Sequence, residues 1–400
     1  MPSQPSSLFR WREIPGSVWA LGLVSLFMDL SSEMIHALLP LYLVSVLGAS
    51  TLTVGIIEGI AEATASIVKV FSGALSDYLA RRKLLAALGY GLAAVTKPVF
   101  PLASSIAWLT AARFVDRIGK GIRGAPRDAL IADLTPADLR GNAFGLRQSL
   151  DTIGAVFGPV AAIVFMTIFS DNFTTVFWIA VVPAFISVAI VVFVVREPER
   201  QPDVSTVRAP LSRAQLSRLG SAYWMVVGVA AVFTLARFSE AFLLLRAQSV
   251  GLDFAVVPAV MVVMNIAYTI SAWPVGALSD IVGRYGLLTG GFVMLILADL
   301  TLGFGNSVAM VMVGAALWGL HMGLTQGLLA ALVADSAPPE LRGTAFGVFN
   351  LVSGLALLAA SIIAGALWDR IGPAGTFYAG AAFTAIALAA LPLVRRRTAK

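Results

Sequence analysis

Long apolar runs, separated by short polar or glycine-containing breaks, fill most of the 400-residue chain. A helix needs about 20 apolar residues to cross a hydrocarbon core of about 30 Å. The runs are continuous rather than alternating, which argues against the strands of a β-barrel. We predict twelve membrane-spanning helices, called segments 1 to 12, near 17–47, 53–76, 84–103, 107–132, 143–169, 175–195, 221–248, 254–279, 287–304, 308–334, 344–368 and 375–394.

The composition excludes a water-soluble enzyme. Hydrophobic residues make up 58% of the chain and charged residues 12%, whereas soluble domains have about 45–50% and about 25%. The chain has no cysteine, which excludes disulfide scaffolds and thiolate metal sites. It also has no ATP-binding glycine-rich loop. We therefore expect an integral membrane protein that is not an enzyme and needs no cofactor and no resident metal.

The basic residues outside the apolar runs are distributed unequally. With both termini in the cytoplasm, seventeen Lys and Arg lie in inside segments and one, Arg370, lies outside, as the positive-inside rule requires. The net charge of +6 therefore reflects topology, and we expect no nucleic-acid partner. We predict a monomeric multi-pass protein of the bacterial inner membrane, with a cytoplasmic N-terminal tail, central loop and C-terminal tail at 1–16, 196–220 and 395–400.

Two sequence matches indicate that the chain consists of related halves. ALIADLTPADLRGNAFG at 129–145 matches ALVADSAPPELRGTAFG at 331–347, an offset of 202. The pentapeptide GALSD recurs independently at an offset of 203. A duplication with six segments in each half predicts parallel repeats. The fold is thus expected to be all-α, with two six-helix bundles, 17–195 and 221–394, around a central cavity.

The repeated GALSD segments resemble the loop signature of the major facilitator superfamily, G-x-L-a-D-r-x-G-r-k. That signature lies between spans 2 and 3 of the family, and this chain matches it there and again in its second half, with Ala80 in place of one glycine. The resemblance covers the whole chain and implies a secondary transporter that works by alternating access. It also implies that a set of loop residues latches one conformation: Gly73, Asp77, Arg81, Arg82, Gly276, Asp280 and Arg284. A cluster that only sets topology is the alternative.

Ionisable residues within the predicted spans are concentrated in the first half of the chain. An intramembrane charge costs about 2.5–3.5 kcal/mol on insertion scales, so each such residue needs a partner or a function. Asp29, Glu33 and His36 share one face of segment 1, and Glu58 and Glu62 share one face of segment 2. Repulsion between neighbouring carboxylates favours protonation of one of them, and we expect Asp29 and Glu33 to carry a coupled proton. Structural pairing with basic residues is the alternative for Glu58 and Glu62.

Segment 4 carries an unusual density of charge, with Arg113, Asp116, Arg117 and Lys120 at helical spacing. Arg117, Lys120 and the glycine that follows resemble the family motif R-x-x-q-G-x-x-x-A, with lysine in place of glutamine. In the family the arginine is associated with proton coupling, which makes Asp116 and Arg117 the expected coupling pair. The additional cations leave open the import or exchange of an anionic metabolite.

Segment 5 contains Gly145, Gly154 and Gly158-Pro159. Their spacing resembles G-x8-G-x3-G-P, the antiporter signature of the drug–proton exporters of the superfamily. Small residues permit close helix packing and the proline a bend, so the resemblance implies a hinge at Gly154, Gly158 and Pro159. Close packing without meaning for transport is the alternative.

The sequence favours proton-coupled export, by antiport, of a small organic or drug-like molecule. Import or exchange of an anionic metabolite is the first alternative, and a non-transporting membrane sensor is another. Export of a divalent metal ion is a minor alternative, because Glu33 and His36 have metal-ligand spacing but the chain has only two histidines. The residues expected to line the substrate cavity are His36, Glu58, Glu62, Arg113, Lys120, Arg237, Glu240, Asn265 and His321.

Overall fold

The computed structural model describes residues 13–79, 81–136, 139–197, 216–282, 284–338 and 341–398. Within these ranges it is helical and contains no strand. We label the helices to match the predicted segments: α1 Gly16–Val46, α2 Thr51–Leu79, α3 Arg82–Leu102, α4 Ile106–Leu134, α5 Arg140–Ile168, α6 Phe173–Phe193, α7 Ser221–Ser249, α8 Ala259–Val282, α9 Arg284–Phe304, α10 Val308–Ser336, α11 Arg342–Ile371 and α12 Pro373–Thr398.

Nine of the described helices are long and apolar enough to cross a membrane. The other three are α2, α4 and α8, which lie between neighbouring helices. Charged side chains interrupt the apolar surface of α2 and α4, and α8 has a shorter apolar stretch, Ala259–Ala272. The structure supports the membrane fold, and the count of twelve spans stays a prediction.

Three helices are interrupted. Helix α1 breaks after His36 and resumes around Pro40, and α3 breaks at Lys97-Pro98; proline lacks the N–H that would continue the helical hydrogen bonds. Helix α7 breaks without a proline, between Ser221–Ala236 and Ala241–Ser249. The breaks of α1 and α7 lie beside a cavity described below, which is lined by His36 and by residues 237–240.

The two halves repeat the same local contacts at the offset seen in the sequence. Helices α4 and α10 are each 29 residues long. Ser105 caps the first by accepting a hydrogen bond from the Trp108 amide, and Ser307 caps the second by accepting one from the Met310 amide. The two halves are therefore built from one structural unit.

Each half has the same packing plan. In the first half α1 packs on α5 and α6, and α4 packs on α2 and α3; in the second, α7 packs on α11 and α12, and α10 packs on α8 and α9. The halves meet where α2 contacts α11 and where α5 contacts α8. A space bounded by both bundles follows from this arrangement.

The two halves are in contact at the end that the predicted membrane topology places outside. Asp369 of α11 accepts hydrogen bonds from the Thr51 hydroxyl, from the Thr51 amide at 3.2 Å and from the Leu52 amide at 3.0 Å. A carboxylate at the start of α2 is favoured by the helix dipole. A Cβ on Gly365 would lie 2.6 Å from the Thr51 carbonyl oxygen, so glycine permits this close approach. In this conformation the predicted outer end is closed.

Candidate functional site

A cavity of about 490 Å³ lies between the two halves. Its wall is formed by α1, α2, α4 and α5 on one side and by α7, α8, α10 and α11 on the other. Polar amides and aromatic rings contribute to it, including Gln326, Asn350 and Trp318. Its charged and ionisable lining residues are Glu33, His36, Glu62, Arg117, Lys120, Arg237 and Glu240.

Six of the nine residues expected in the cavity line it, and three do not. The six are His36, Glu62, Lys120, Arg237, Glu240 and Asn265. Glu58, Arg113 and His321 have exposed fractions of 0%, 2% and 0% and lie behind the wall, so their placement on the cavity surface is corrected. They face neighbouring helices rather than the space between the bundles.

Glu58 and Arg113 form a buried ion pair between α2 and α4. The Arg113 guanidinium donates from Nε to Oε1 at 3.1 Å and from Nη2 to Oε2 at 2.7 Å. His36 Nε2 lies 3.5 Å from Glu58 Oε2. The two-pronged geometry satisfies both carboxylate oxygens, which is the structural role left open for Glu58 by the sequence.

The predicted coupling pair is divided between two helix interfaces. Asp116 accepts a hydrogen bond from Lys97 Nζ of α3 at 2.9 Å, and Arg117 Nη1 lies 3.2 Å from Glu62 Oε1 of α2. Adjacent residues in a helix point in different directions, so Asp116 and Arg117 do not pair with each other. Lys97 was not singled out from the sequence, although it is one of the few lysines within an apolar run.

Asp29 lies in a second charged cluster, between α1, α4 and α5, and does not line the cavity. Arg123 Nη2 is 3.9 Å from Asp29 Oδ1, and Asp151 of α5 is a neighbour of Asp29 in this cluster. Arg147 and Arg127 face Asp151 at 3.0 and 3.8 Å. Two neighbouring carboxyl groups can share one proton, so the cluster can hold a proton that the sequence assigned to α1 alone.

The glycines of segment 5 pack directly against these acidic positions of α1. A Cβ on Gly154 would lie 2.7 Å from the Leu26 carbonyl oxygen and 3.0 Å from Asp29 Cβ, and a Cβ on Gly158 would lie 2.5 Å from Glu33 Cβ. Pro159 follows within the continuous helix α5. Close approach of α5 to α1 therefore depends on glycine beside both Asp29 and Glu33.

The predicted latch is described in part. Arg82 Nη1 lies 2.5 Å from Asp133 Oδ2, and Arg284 pairs with Asp335 at the equivalent place in the second half. A Cβ on Gly73 would lie 3.5 Å from the Ala125 Cβ. Arg81 is exposed. Three further positions of the predicted latch lie outside the residues whose surroundings the structure describes: Asp77, Gly276 and Asp280.

Among the described residues, no group of three or more His, Asp or Glu side chains is placed to hold a metal ion. Two other buried groups have no hydrogen-bond partner there: both carboxylate oxygens of Asp299 and both ring nitrogens of His321. Their surroundings are apolar helix contacts, among them the rings of Phe233 and Trp318 around His321.

A family model described as the Major Facilitator Superfamily matches residues 21–259 and 225–400. The chain belongs to the Major Facilitator Superfamily. It is 34% identical to an uncharacterised MFS-type transporter of Methanocaldococcus jannaschii, over 94% of each chain. It is 23% identical to the inner membrane transport protein YajR of Escherichia coli, over 92% of this chain and 81% of that one.

Solved structures show the same fold at low identity. A mutant of the nucleoside transporter NupG is similar with a TM-score of 0.78 and 13% identity, covering 95% of this chain and 100% of that one. Membership in the superfamily establishes a multi-pass membrane transport protein for a small-molecule substrate. Substrate, direction and coupling ion are not determined by the fold.

Proposed function

We propose that this protein is a proton-coupled antiporter that exports a small organic molecule by alternating access. The observation that carries the proposal is the packing of Gly154 and Gly158 against Asp29 and Glu33. A substrate–proton exchanger must link helix movement to proton binding, and the proposed hinge glycines of α5 pack against the acidic face of α1.

Proton binding at Asp29 would respond to movement of α5. Asp151 on α5 is a neighbour of Asp29, and Arg123 Nη2 on α4 lies 3.9 Å from Asp29 Oδ1. A nearby carboxylate favours the protonated form of Asp29 and a nearby cation favours the ionised form. Sliding α5 along α1 changes the balance between these two neighbours, so a change of conformation takes up or releases a proton.

Glu33 would connect the proton site to the substrate. It lines the cavity, accepts from His36 Nδ1 at 3.3 Å and lies against Gly158. A substrate that displaces His36 or contacts Glu33 would disturb the interface between α1 and α5, in which Asp29 also lies. The ion pair between Arg117 and Glu62, 3.2 Å apart, lies on the cavity wall where an entering substrate would meet it. The pair between Asp116 and Lys97 would hold α4 to α3.

Two sets of contacts would hold the alternating states. The Asp369 contacts to α2 close the predicted outer end here, and the basic loop residues around Gly73 and Arg82 would close the inner end in the opposite state. With both termini in the cytoplasm of the inner membrane, export means that substrate enters from the inner end. We propose that one chain is the working unit, because the cavity is formed entirely within it.

The test is proton movement in liposomes that contain the purified protein and an imposed pH gradient. Cationic, neutral and anionic compounds are screened for those that dissipate the gradient. The proposal predicts dissipation that is lost in Asp29→Asn and reduced in Glu33→Gln. Asp253→Asn, the same change in an exposed loop, is the matched control. Substrate flux that survives in Asp29→Asn with unchanged proton movement would contradict the proposal.

A second function is favoured by Lys120 and Arg237, which line the cavity without an ion-pair partner among the described residues. Import or exchange of an anionic metabolite would use them as its anchor. In the same liposome screen, this function predicts that only anions move, and that Asp29→Asn leaves their flux unchanged.

A further inference from the structure

The cavity wall carries ionisable groups of both signs. It is lined by three carboxylates, three basic side chains and one histidine. The carboxylates are Glu33, Glu62 and Glu240, the basic side chains are Arg117, Lys120 and Arg237, and the histidine is His36. A cavity lined by one sign concentrates ions of the other sign. A wall that carries both signs does not select a ligand by this effect alone, so selection depends on which of these charges are free to meet a ligand.

Four of the lining groups are already paired. Glu33 is with His36 at 3.3 Å and Glu62 is with Arg117 at 3.2 Å. The remaining three, Lys120, Arg237 and Glu240, have no ion pair with any other residue in the described part of the chain. The free charges are therefore two cations and one anion.

Two of the free charges lie in the break of α7, where the helix stops at Ala236 and resumes at Ala241. Arg237 Nε is buried and has no hydrogen-bond partner among the residues that the structure describes, and the guanidinium is 6.0 Å from the centroid of the Phe233 ring. An unpaired buried donor is costly, and a bound anionic group would supply the missing acceptor. Arg237 and Glu240 are three positions apart and form no direct ion pair with each other, and both line the cavity where a ligand would meet them.

Glu240 faces the first half of the molecule across the cavity. Glu33 of α1 and Glu62 of α2 line the same cavity. A cationic ligand group beside Glu240 would also be near the acidic groups of α1 and α2, and an anionic group beside Arg237 would be drawn away from them. Interrupted helices in transporters commonly bind substrate through the groups at the break.

Resting on the function proposed above, we infer that the substrate is amphoteric: a small molecule that carries both a cationic and an anionic group. The anionic group meets Arg237 and Lys120, and the cationic group meets Glu240. The aromatic rings of Trp318 and Phe349 provide contact for an apolar body. A ligand with only one charge leaves a free charge of the wall without a counter-charge.

The test measures binding and needs neither a gradient nor transport. The protein in lipid nanodiscs is titrated with matched sets of four compounds that share one skeleton: amino acid, amine, carboxylic acid and uncharged amide. One aliphatic, one aromatic and one bicyclic skeleton are used, and affinity is read from the ligand-dependent shift of the thermal unfolding midpoint. We expect the amphoteric member of at least one set to bind about tenfold tighter than its singly charged relatives, the effect of one charge-assisted contact.

Two variants assign the contacts. Arg237→Gln is expected to move the preference toward the amine, and Glu240→Gln toward the carboxylic acid, with Arg370→Gln at the exposed end of α11 as control. The inference is overturned if a singly charged member binds best in wild type, if no set binds, or if both variants weaken all members equally. Amphoteric binding without proton movement in liposomes would instead reject the proposed coupling and leave the substrate class intact.

Discussion

Gly158→Ala tests the contact between the hinge of α5 and the acidic face of α1. The added Cβ would lie 2.5 Å from Glu33 Cβ, 3.2 Å from the Leu30 carbonyl oxygen and 3.2 Å from the Met34 amide nitrogen. Carbon atoms prefer a separation of about 3.5–4.0 Å. These neighbours are backbone atoms or a Cβ and cannot rotate away, so α1 and α5 must separate by about 1 Å.

The magnitude follows from two opposing terms. Alanine in place of glycine stabilises a helix interior by about 1 kcal/mol, and overpacking destabilises by about 1–3 kcal/mol. For Gly145→Ala, in the same helix and the same motif, no described residue of another element has an atom within 4 Å of the new Cβ, so only the stabilising effect of alanine applies. The two variants should therefore differ by about 1–3 kcal/mol in unfolding free energy. If the contact loosens in the other transport state, the conformational equilibrium shifts by about 5- to 150-fold.

The assay compares the two variants in nanodiscs and in liposomes. Thermal unfolding should fall in Gly158→Ala and hold or rise in Gly145→Ala, and transport should fall only in Gly158→Ala. Equal stability and equal transport in both variants would show that the close approach at Gly158 does not constrain the molecule, and the hinge argument would fail.

Three further perturbations have defined outcomes. Glu58→Gln leaves the Arg113 guanidinium buried without its counter-ion and should lower the unfolding free energy by about 3–5 kcal/mol in chemical denaturation. Adding Arg113→Met should recover most of this loss. No recovery would contradict the buried pair. Asp369→Asn removes the negative charge at the start of α2 and should weaken the contact between the halves by about 1–2 kcal/mol. The population of molecules open at the outer end should therefore rise by about 5- to 30-fold. Spin labels on introduced cysteines report this opening against a background free of native cysteine, and an unchanged distance distribution would exclude a gating role. Asp299→Asn should leave the unfolding midpoint unchanged or higher, because neither carboxylate oxygen has a hydrogen-bond partner among the described residues; a large loss would reveal a partner.

The helices and the duplication could be predicted because they depend on local pattern. The apolar run near 107–132 became Ile106–Leu134, and the offset of 202 reappears in the Arg82 and Arg284 ion pairs with Asp133 and Asp335. Periodicity also placed most of the cavity residues, since a helix face turned toward the partner bundle repeats every three to four residues.

The pairing of charges could not be predicted, because it depends on which helices pack together. Asp116 and Arg117 are adjacent in the sequence but face α3 and α2, where Lys97 and Glu62 meet them. Asp369 contacts residues more than three hundred positions away, and no local pattern marks it. His321 resembled a cavity group but is enclosed by aromatic rings.

The central claim, substrate–proton antiport, is tested most directly by the sign of proton movement. Protein is reconstituted in liposomes with no pH gradient and a pH reporter inside, and a substrate found in the screen is added outside. Antiport predicts that substrate entering the vesicle drives protons out, so that the interior becomes alkaline in wild type and in Asp253→Asn but stays unchanged in Asp29→Asn. Acidification of the interior, or substrate entry with no change of pH in wild type, would contradict the claim.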